Sequence, residues 1–198
     1  MALLSISFMT MEAKQSYIFL APGVEEIEAT ATIDALRRAD IPVVAIAVDT
    51  TLLIKGATGQ TIMADSLLSD IDTREADWLI VPGGMPGAPN LHASKTVSDM
   101  LLAHFANGGR IASICAGPAM VLAPLGILKG KKATCYPGLG NMIEAGGGVY
   151  EKVPVVTDGN IITSEGPGTT LKFAKAIISA TAGNKKADET LASMLAGE

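Results

Sequence analysis

The segment of this chain best suited to chemistry is Ser113-Ile114-Cys115-Ala116-Gly117. It has the form small-x-nucleophile-x-small, directly after an apolar run that reads as a buried strand and directly before a helix-forming stretch. A sharp strand-to-helix turn of this kind lifts the nucleophile above the sheet, and its neighbours must be small because the backbone is crowded there. Ile114 or Cys115 is therefore expected in a strained backbone region. The N-terminus of the following helix would lower the pKa of a thiol at its foot, and its N–H groups would donate to an anionic oxygen. The plainer alternative is a packing thiol in an aliphatic strand.

Two other segments could serve the same centre. Pro82-Gly83-Gly84 closes a neighbouring apolar run with residues that let backbone approach a ligand. N–H groups of Gly83 and Gly84 would complete an oxyanion site opposite Ala116; without Cys115 the segment is an ordinary glycine turn. Glu28 lies one helical turn beyond the first strand–helix loop and would point along the sheet's edge toward the cysteine. A charged carboxylate would repel a thiolate there, whereas a protonated one, its pKa raised by burial, would donate a hydrogen bond to the sulfur. Taken by itself, Glu28 is a solvated helix-start carboxylate. Tyr136, in Thr134-Cys135-Tyr136-Pro137, would overlook the site from the next strand end. His92 follows a Gly-Pro loop and His104 sits mid-helix, and neither has a spacing that recommends it as a partner for the thiol.

The elements that must position these residues alternate. Tyr17–Ala21 reads as a strand ending at Pro22-Gly23. Glu25–Ala39 then has apolar residues at helical spacing, with Glu25, Glu26 and Glu28 in its first turn, the charge sign favoured there. Strands follow at Val43–Val48, Trp78–Val81, Arg110–Ile114 and Lys132–Cys135. Leu52–Ile54 and Gln60–Met63 form a hairpin or small excursion. Helices are predicted over Ser94–Asn107, with Ser94 as N-cap, over Ala116–Leu125, over Gly138–Ala145 and over Thr169–Ala182. Asp158-Gly159 joins Val153–Thr157 to Ile161–Thr163 as a hairpin. Such alternation implies an α/β fold, an open and mostly parallel sheet with helices on both faces, whose sites lie outside the carboxyl ends of the strands. Pro22–Glu28, Pro82–Gly87 and Cys115–Pro118 all fall there.

Composition agrees and narrows the possibilities. The 198 residues are 48% hydrophobic but only 4% aromatic, so the core is aliphatic, as suits a parallel sheet covered on both sides. A formal charge of −5 gives no electrostatic case for nucleic acid. No run approaches the ~18 apolar residues of a membrane span. Two cysteines and two histidines do not make a zinc site, and a Cys115–Cys135 disulfide is not indicated in a cytosolic chain of this size. Met1–Phe8 is apolar but lacks a basic n-region and a clear cleavage site. Residues 1–15 are read as a leader or an early-assigned start, 16–183 as a single domain, and 184–198 as a partly helical tail; the expected location is the cytoplasm.

At Ala21-Pro22-Gly23-Val24-Glu25-Glu26-Ile27-Glu28, Val81-Pro82-Gly83-Gly84, Ile114-Cys115-Ala116-Gly117-Pro118 and Thr163-Ser164-Glu165-Gly166-Pro167-Gly168-Thr169, the chain resembles the ThiJ/PfpI superfamily. It resembles in particular the parkinsonism-associated deglycase branch, which includes the bacterial YajL-type proteins. The resemblance runs from about Tyr17 to Gly183. It implies a flavodoxin-like fold and a homodimer with sites near the interface. It also implies that Cys115 is the reactive cysteine, Glu28 its carboxylate partner, and the Gly84 and Ala116 amides an anion pocket. Members of this branch often carry a histidine where this chain has Tyr136, and a phenol does not replace an imidazole as a base near neutral pH.

The first functional reading is therefore a cofactor-free, metal-free enzyme acting on small reactive aldehydes or glycated groups. Cys115 would add to a 2-oxoaldehyde and Glu28 would move the proton between adjacent carbons. The second is an oxidative-stress sensor or redox-regulated chaperone, in which Cys115 oxidises and Glu28 with the nearby amides holds the added oxygens. A peptidase is disfavoured by the missing histidine. A flavin-binding protein is disfavoured by acids in the first loop, where a phosphate would need amides and hydroxyls.

Overall fold

The computed structural model describes residues 14–196. The expected leader over 1–15 lies, for its first thirteen residues, outside the described residues. In chain order the elements are β1 (Ser16–Leu20), α1 (Glu26–Arg38), β2 (Val43–Ala47), β3 (Leu53–Lys55), β4 (Thr61–Met63) and β5 (Ser66–Leu67), then β6 (Trp78–Val81), α2 (Gly87–Ala93), α3 (Lys95–Ala106) and β7 (Arg110–Ile114). Beyond them come β8 (Lys132–Ala133), α4 (Gly140–Ala145), β9 (Val149–Tyr150), β10 (Val155–Asp158), β11 (Ile161–Ser164), α5 (Thr170–Ala182) and α6 (Asn184–Ser193).

Seven strands form one sheet in the order β10-β11-β7-β6-β1-β2-β5, parallel throughout except for β10, which pairs antiparallel with β11. The two central apolar runs, Phe19 to Ala21 and Leu79 to Val81, have no exposed surface at all, as strands covered on both faces require. Around the sheet α1 packs on α5 and α5 on α6, while α2 packs on α3. This is the expected flavodoxin-like arrangement. α6 rests on α5 with Ala187 and Leu191 buried, and its Lys186 reaches Asp40 after α1 at 2.6 Å. Among the described residues no helix is long and apolar enough to cross a membrane.

The winding sets the site. From β1 the chain goes outward to β2 and β5 on one side, then returns to build β6, β7 and β11 on the other. The direction therefore switches between β1 and β6, and a crevice opens at the carboxyl ends of those strands. The loops leaving β1, β6 and β7 are the three that carry Glu28, Gly83 and Cys115.

Two departures from expectation matter here. The stretch after Cys115 is not an α-helix over Ala116–Leu125 but a single π-type turn, Pro118–Leu122. Pro118 opens it without an N–H to donate, and Pro124 closes off any continuation. Secondly, Gly87–Ala93 is a helix, although its Gly-Ala-Pro-Asn composition reads as loop. It is held by burial of Ala88 and Leu91 and by Asn90 Nδ2 donating to the Pro22 carbonyl at 2.8 Å.

Candidate active site

Cys115 is set by constraints on both sides of its backbone. Its N–H donates to the Ser164 carbonyl at 2.9 Å, extending the β7–β11 pairing by one residue. Its carbonyl accepts from the Tyr136 N–H at 2.8 Å. Between those two bonds the chain turns with φ of +64°, the left-handed region that a side-chain-bearing residue enters only under restraint, at a cost of about 1–3 kcal/mol. The strained position is thus Cys115 itself, with Ile114 still in the strand.

Small neighbours are required because the turn is crowded by backbone and side-chain atoms. Ser113 Oγ donates to the Val81 carbonyl at 3.0 Å across β6–β7. A β-carbon on Gly117 would strike that Ser113 oxygen and stand 2.9 Å from the Val81 oxygen. On the other loop, a β-carbon on Gly83 would lie 2.6 Å from Cys115 Cβ and 2.9 Å from both the Ala116 nitrogen and Glu28 Oε2. Glycine at 83 is what lets the β6 loop, the cysteine and the glutamate meet.

The three acids at the start of α1 have three separate tasks. Glu25 is the N-cap, its carboxylate accepting the Glu28 N–H at 2.7 Å. Glu26 is buried and turns toward the β3–β4 hairpin, where its Oε1 accepts from Thr58 N and Oγ1 at 2.9 and 2.8 Å and from Gln60 N at 3.3 Å. Burial opposes the Glu26 charge, but those hydrogen bonds together outweigh it and hold the carboxyl below its ordinary pKa. Glu28 is fully buried and turns to the cysteine.

Glu28 Oε2 accepts the Gly83 N–H at 2.8 Å. Its Oε1 is buried without a conventional hydrogen-bond partner, and the polar group its carboxyl feels most is the Cys115 thiol. That contact falls short of a well-aligned hydrogen bond. Burial raises the Glu28 carboxyl to about 7, against the pull of the thiol and of the Gly83 amide, with the Glu25 charge adding to the rise. Cys115 retains 8% of its surface. Burial, then the Glu28 charge, raises its thiol to about 12, while the Gly84 and Ala116 amides favour the sulfur anion.

The expectation that a helix N-terminus would lower the Cys115 pKa is therefore not met in this state. The helix is only a short π-type turn, and burial dominates. The pair carries at most one negative charge, and that charge settles first on Glu28. An ionised carboxyl beside a thiol can act as a general base once the two are aligned. If the proton moves to Glu28, the carboxylate's repulsion of sulfur vanishes and the two amides remain to stabilise the thiolate.

The structure thus brings together Cys115, Glu28, Gly83, Gly84 and Ala116. Tyr136 lies at the rim: its backbone is tied to Cys115, its side chain is 50% exposed, and its ring edge faces Gly166. Neither histidine joins them. His104 Nε2 contacts the Arg110 carbonyl at 3.1 Å, at the opposite end of β7, and His92 is exposed in the last turn of α2. Cys135 is fully buried and unpaired with Cys115, both thiols being free. Among the described residues no group of three or more His, Cys, Asp or Glu side chains could hold a metal ion. Ser164 and Gly166 belong to the site without having been singled out for a role. Only the fold, by pairing β11 with β7, brings them there.

Known proteins are similar to this chain over most of its length. A family model described as "DJ-1/PfpI family" matches residues 14–180. "Glutathione-independent glyoxalase DJR-1.2" of Caenorhabditis elegans is 35% identical over 183 residues, 91% of this chain and 96% of that protein. "Protein DJ-1 homolog A" of Arabidopsis thaliana is 37% identical over 182 residues, 92% of this chain; the chain spans only 46% of that relative's length. Among solved structures, "Toxoplasma gondii DJ-1, oxidized" superposes with a TM-score of 0.89 at 35% identity, covering 94% of this chain and 100% of that one.

Proposed function

The chain belongs to the DJ-1/PfpI family, and from that premise we propose that it is a cofactor-free enzyme acting on reactive 2-oxoaldehydes through Cys115 and Glu28. The observation that carries the reading is the buried carboxyl of Glu28 placed against the Cys115 thiol, with two backbone amides turned to the same sulfur. A C. elegans relative named as a glyoxalase supports the reaction class.

Methylglyoxal would be isomerised on the sulfur and then hydrolysed. Glu28 takes the thiol proton as sulfur attacks the aldehyde carbon, and the proton passes to the new oxygen, giving a hemithioacetal. The Gly84 and Ala116 amides hold that oxygen while it carries charge. Glu28 then removes the hydrogen on the former aldehyde carbon and returns it to the neighbouring carbonyl carbon, while the hemithioacetal hydroxyl proton passes to the neighbouring oxygen, leaving a lactoyl thioester on Cys115. Water hydrolyses the thioester to lactate and restores the thiol. The same adduct chemistry at a glycated amine or thiol would make the protein a deglycase. Lactate formation, lost on Cys115→Ser, tests the reading.

A second reading is favoured by the amides around the sulfur and by the oxidised form in which the T. gondii relative is described. Peroxide would convert Cys115 to sulfenic and then sulfinic acid, with Glu28, protonated, donating to an added oxygen. The partner we propose is a second copy of the chain. Ile27, Leu53 and Met63 are exposed, Leu53 and Met63 face each other across β3–β4, and Glu26 clamps that hairpin to α1 beside Ile27.

A further inference from the structure

Gly166 lies in the turn between β11 and α5, and its backbone is fixed. Its N–H donates to Thr169 Oγ1 at 3.1 Å, and its carbonyl accepts from Thr169 N at 2.8 Å. The backbone is extended, with φ 164° and ψ −167°, so the turn itself makes no demand for glycine. What a side chain would meet is informative. The three atoms nearest to a β-carbon built at this position are Tyr136 Cδ2 at 3.4 Å, Tyr136 Cε2 at 3.8 Å and Cys115 Sγ at 4.0 Å.

The bare face of Gly166 therefore leaves room for one methyl group between the nucleophilic sulfur and an aromatic ring. Gly166 itself is buried, so the space is a small recess beside the sulfur. We propose that Gly166 is a specificity-determining position, its bare α-carbon and the Tyr136 ring forming the walls of a slot over Cys115 that takes the substituent of the carbonyl compound. The proposal rests on the reading of Cys115 as the nucleophile toward 2-oxoaldehydes, and it names their class. Space for one carbon between ring edge and sulfur suits a 2-oxoaldehyde whose substituent is no larger than methyl, as in methylglyoxal.

An alanine methyl at 166 would stand in ordinary van der Waals contact with ring and sulfur, so Gly166→Ala fits the fold while narrowing the slot. Gly168→Ala is the control, because a β-carbon there meets nothing within 4 Å in the same turn. The experiment compares kcat/KM for methylglyoxal and glyoxal in wild type and both variants. The methylglyoxal-to-glyoxal ratio is expected to fall about tenfold or more in Gly166→Ala, the scale on which one methyl group discriminates in a pocket. It should stay unchanged in Gly168→Ala. An equal ratio in all three proteins overturns the slot.

Alkylation of Cys115 by iodoacetamide and by the bulkier N-ethylmaleimide separates this proposal from the reaction it rests on. If wild type turns over neither aldehyde, the reaction has failed, and alkylation decides the slot. Selective slowing of N-ethylmaleimide in Gly166→Ala sustains it; equal slowing of both reagents overturns it. Should Gly166→Ala not fold, Tyr136→Ala removes the other wall and must raise the maleimide-to-iodoacetamide rate ratio, no change being the contrary result.

Discussion

Glu28 reaches from the first turn of α1 to accept the Gly83 amide proton at 2.8 Å, which fixes one carboxyl oxygen beside Cys115 and leaves the other buried without a hydrogen-bond partner. Because Gly83 follows β6, this bond joins the two strands between which the sheet changes direction. The catalytic reading therefore depends on a fully buried carboxyl in a place where ionisation is costly, and that cost is measurable.

The Glu28 carboxyl titrates near 7 in the folded protein against 4.5 for an ordinary glutamate. Between those values the folded state binds the extra proton, so stability from this group is complete below about 4.5 and is lost as pH rises through 7. The loss is on the order of 3 kcal/mol at most. Glu28→Gln, which can still accept from Gly83, is expected to melt above wild type at pH 8.5 and level with it near pH 4.5. Thermal denaturation across that range checks this; a variant less stable than wild type at pH 8.5 contradicts it.

The pH dependence of activity runs the other way. If ionised Glu28 takes the thiol proton, kcat/KM for methylglyoxal rises with pH through about 7 and flattens above it. Glu28→Gln should abolish that rise along with most of the activity. A profile that climbs only above pH 9 would mean that free thiolate, not the pair, is the working form.

Gly83→Ala should be worse than its size suggests. The new methyl would stand 2.6 Å from Cys115 Cβ and 2.9 Å from the Ala116 nitrogen, both on backbone that is already pinned. Overpacking of this kind costs about 1–3 kcal/mol. Urea denaturation should show that loss, with Cys115 alkylation altered as well. An unchanged midpoint would show that the loop yields freely.

Much of this site was legible in the amino-acid order, and the limits are instructive. Cys115 announced itself by small residues on either side of a strand end, and Gly83 by ending the next strand. Those signals are local, because a crowded turn selects its own residues. The three acids at 25, 26 and 28 looked alike as helix-start charges, and only the fold separates a cap, a hairpin clamp and a catalytic candidate. Thr58 and Gln60 lie more than thirty positions from Glu26, and no spacing rule connects them. α2 was missed because its stability comes from Ala88 and Leu91 in the core rather than from helix-forming residues. The two-residue strand β5 is set next to β2 partly by Asp65, whose carboxylate accepts the Ala45 N–H at 2.8 Å. The thiol's ionisation was misjudged by counting on a helix dipole where a short π-type turn stands.

If a second copy covers Ile27, Leu53 and Met63, charge placed there must disrupt it. Met63→Glu, at the most exposed of the three, is expected to shift the molar mass in light scattering from dimer to monomer. A wild type that is already monomeric at micromolar concentration would contradict the proposed partner.

The oxidation reading makes its own demand on the two thiols. Cys115 has a little exposed surface and Cys135 has none. Low peroxide should therefore add two oxygens to Cys115 while leaving Cys135 reduced, as peptide mass spectrometry would show. Oxidation of Cys135 first would contradict the assignment of the reactive sulfur.

The central claim is that Cys115 and Glu28 act as one catalytic pair, and lactate production from methylglyoxal tests it most directly. Wild type, Cys115→Ser and Glu28→Gln would be assayed side by side without added cofactor or thiol. The account predicts steady turnover by wild type and a loss of at least about a hundredfold in either variant, the scale of general acid–base catalysis. Turnover by Cys115→Ser comparable to wild type, or none by wild type above that variant's background, would contradict it.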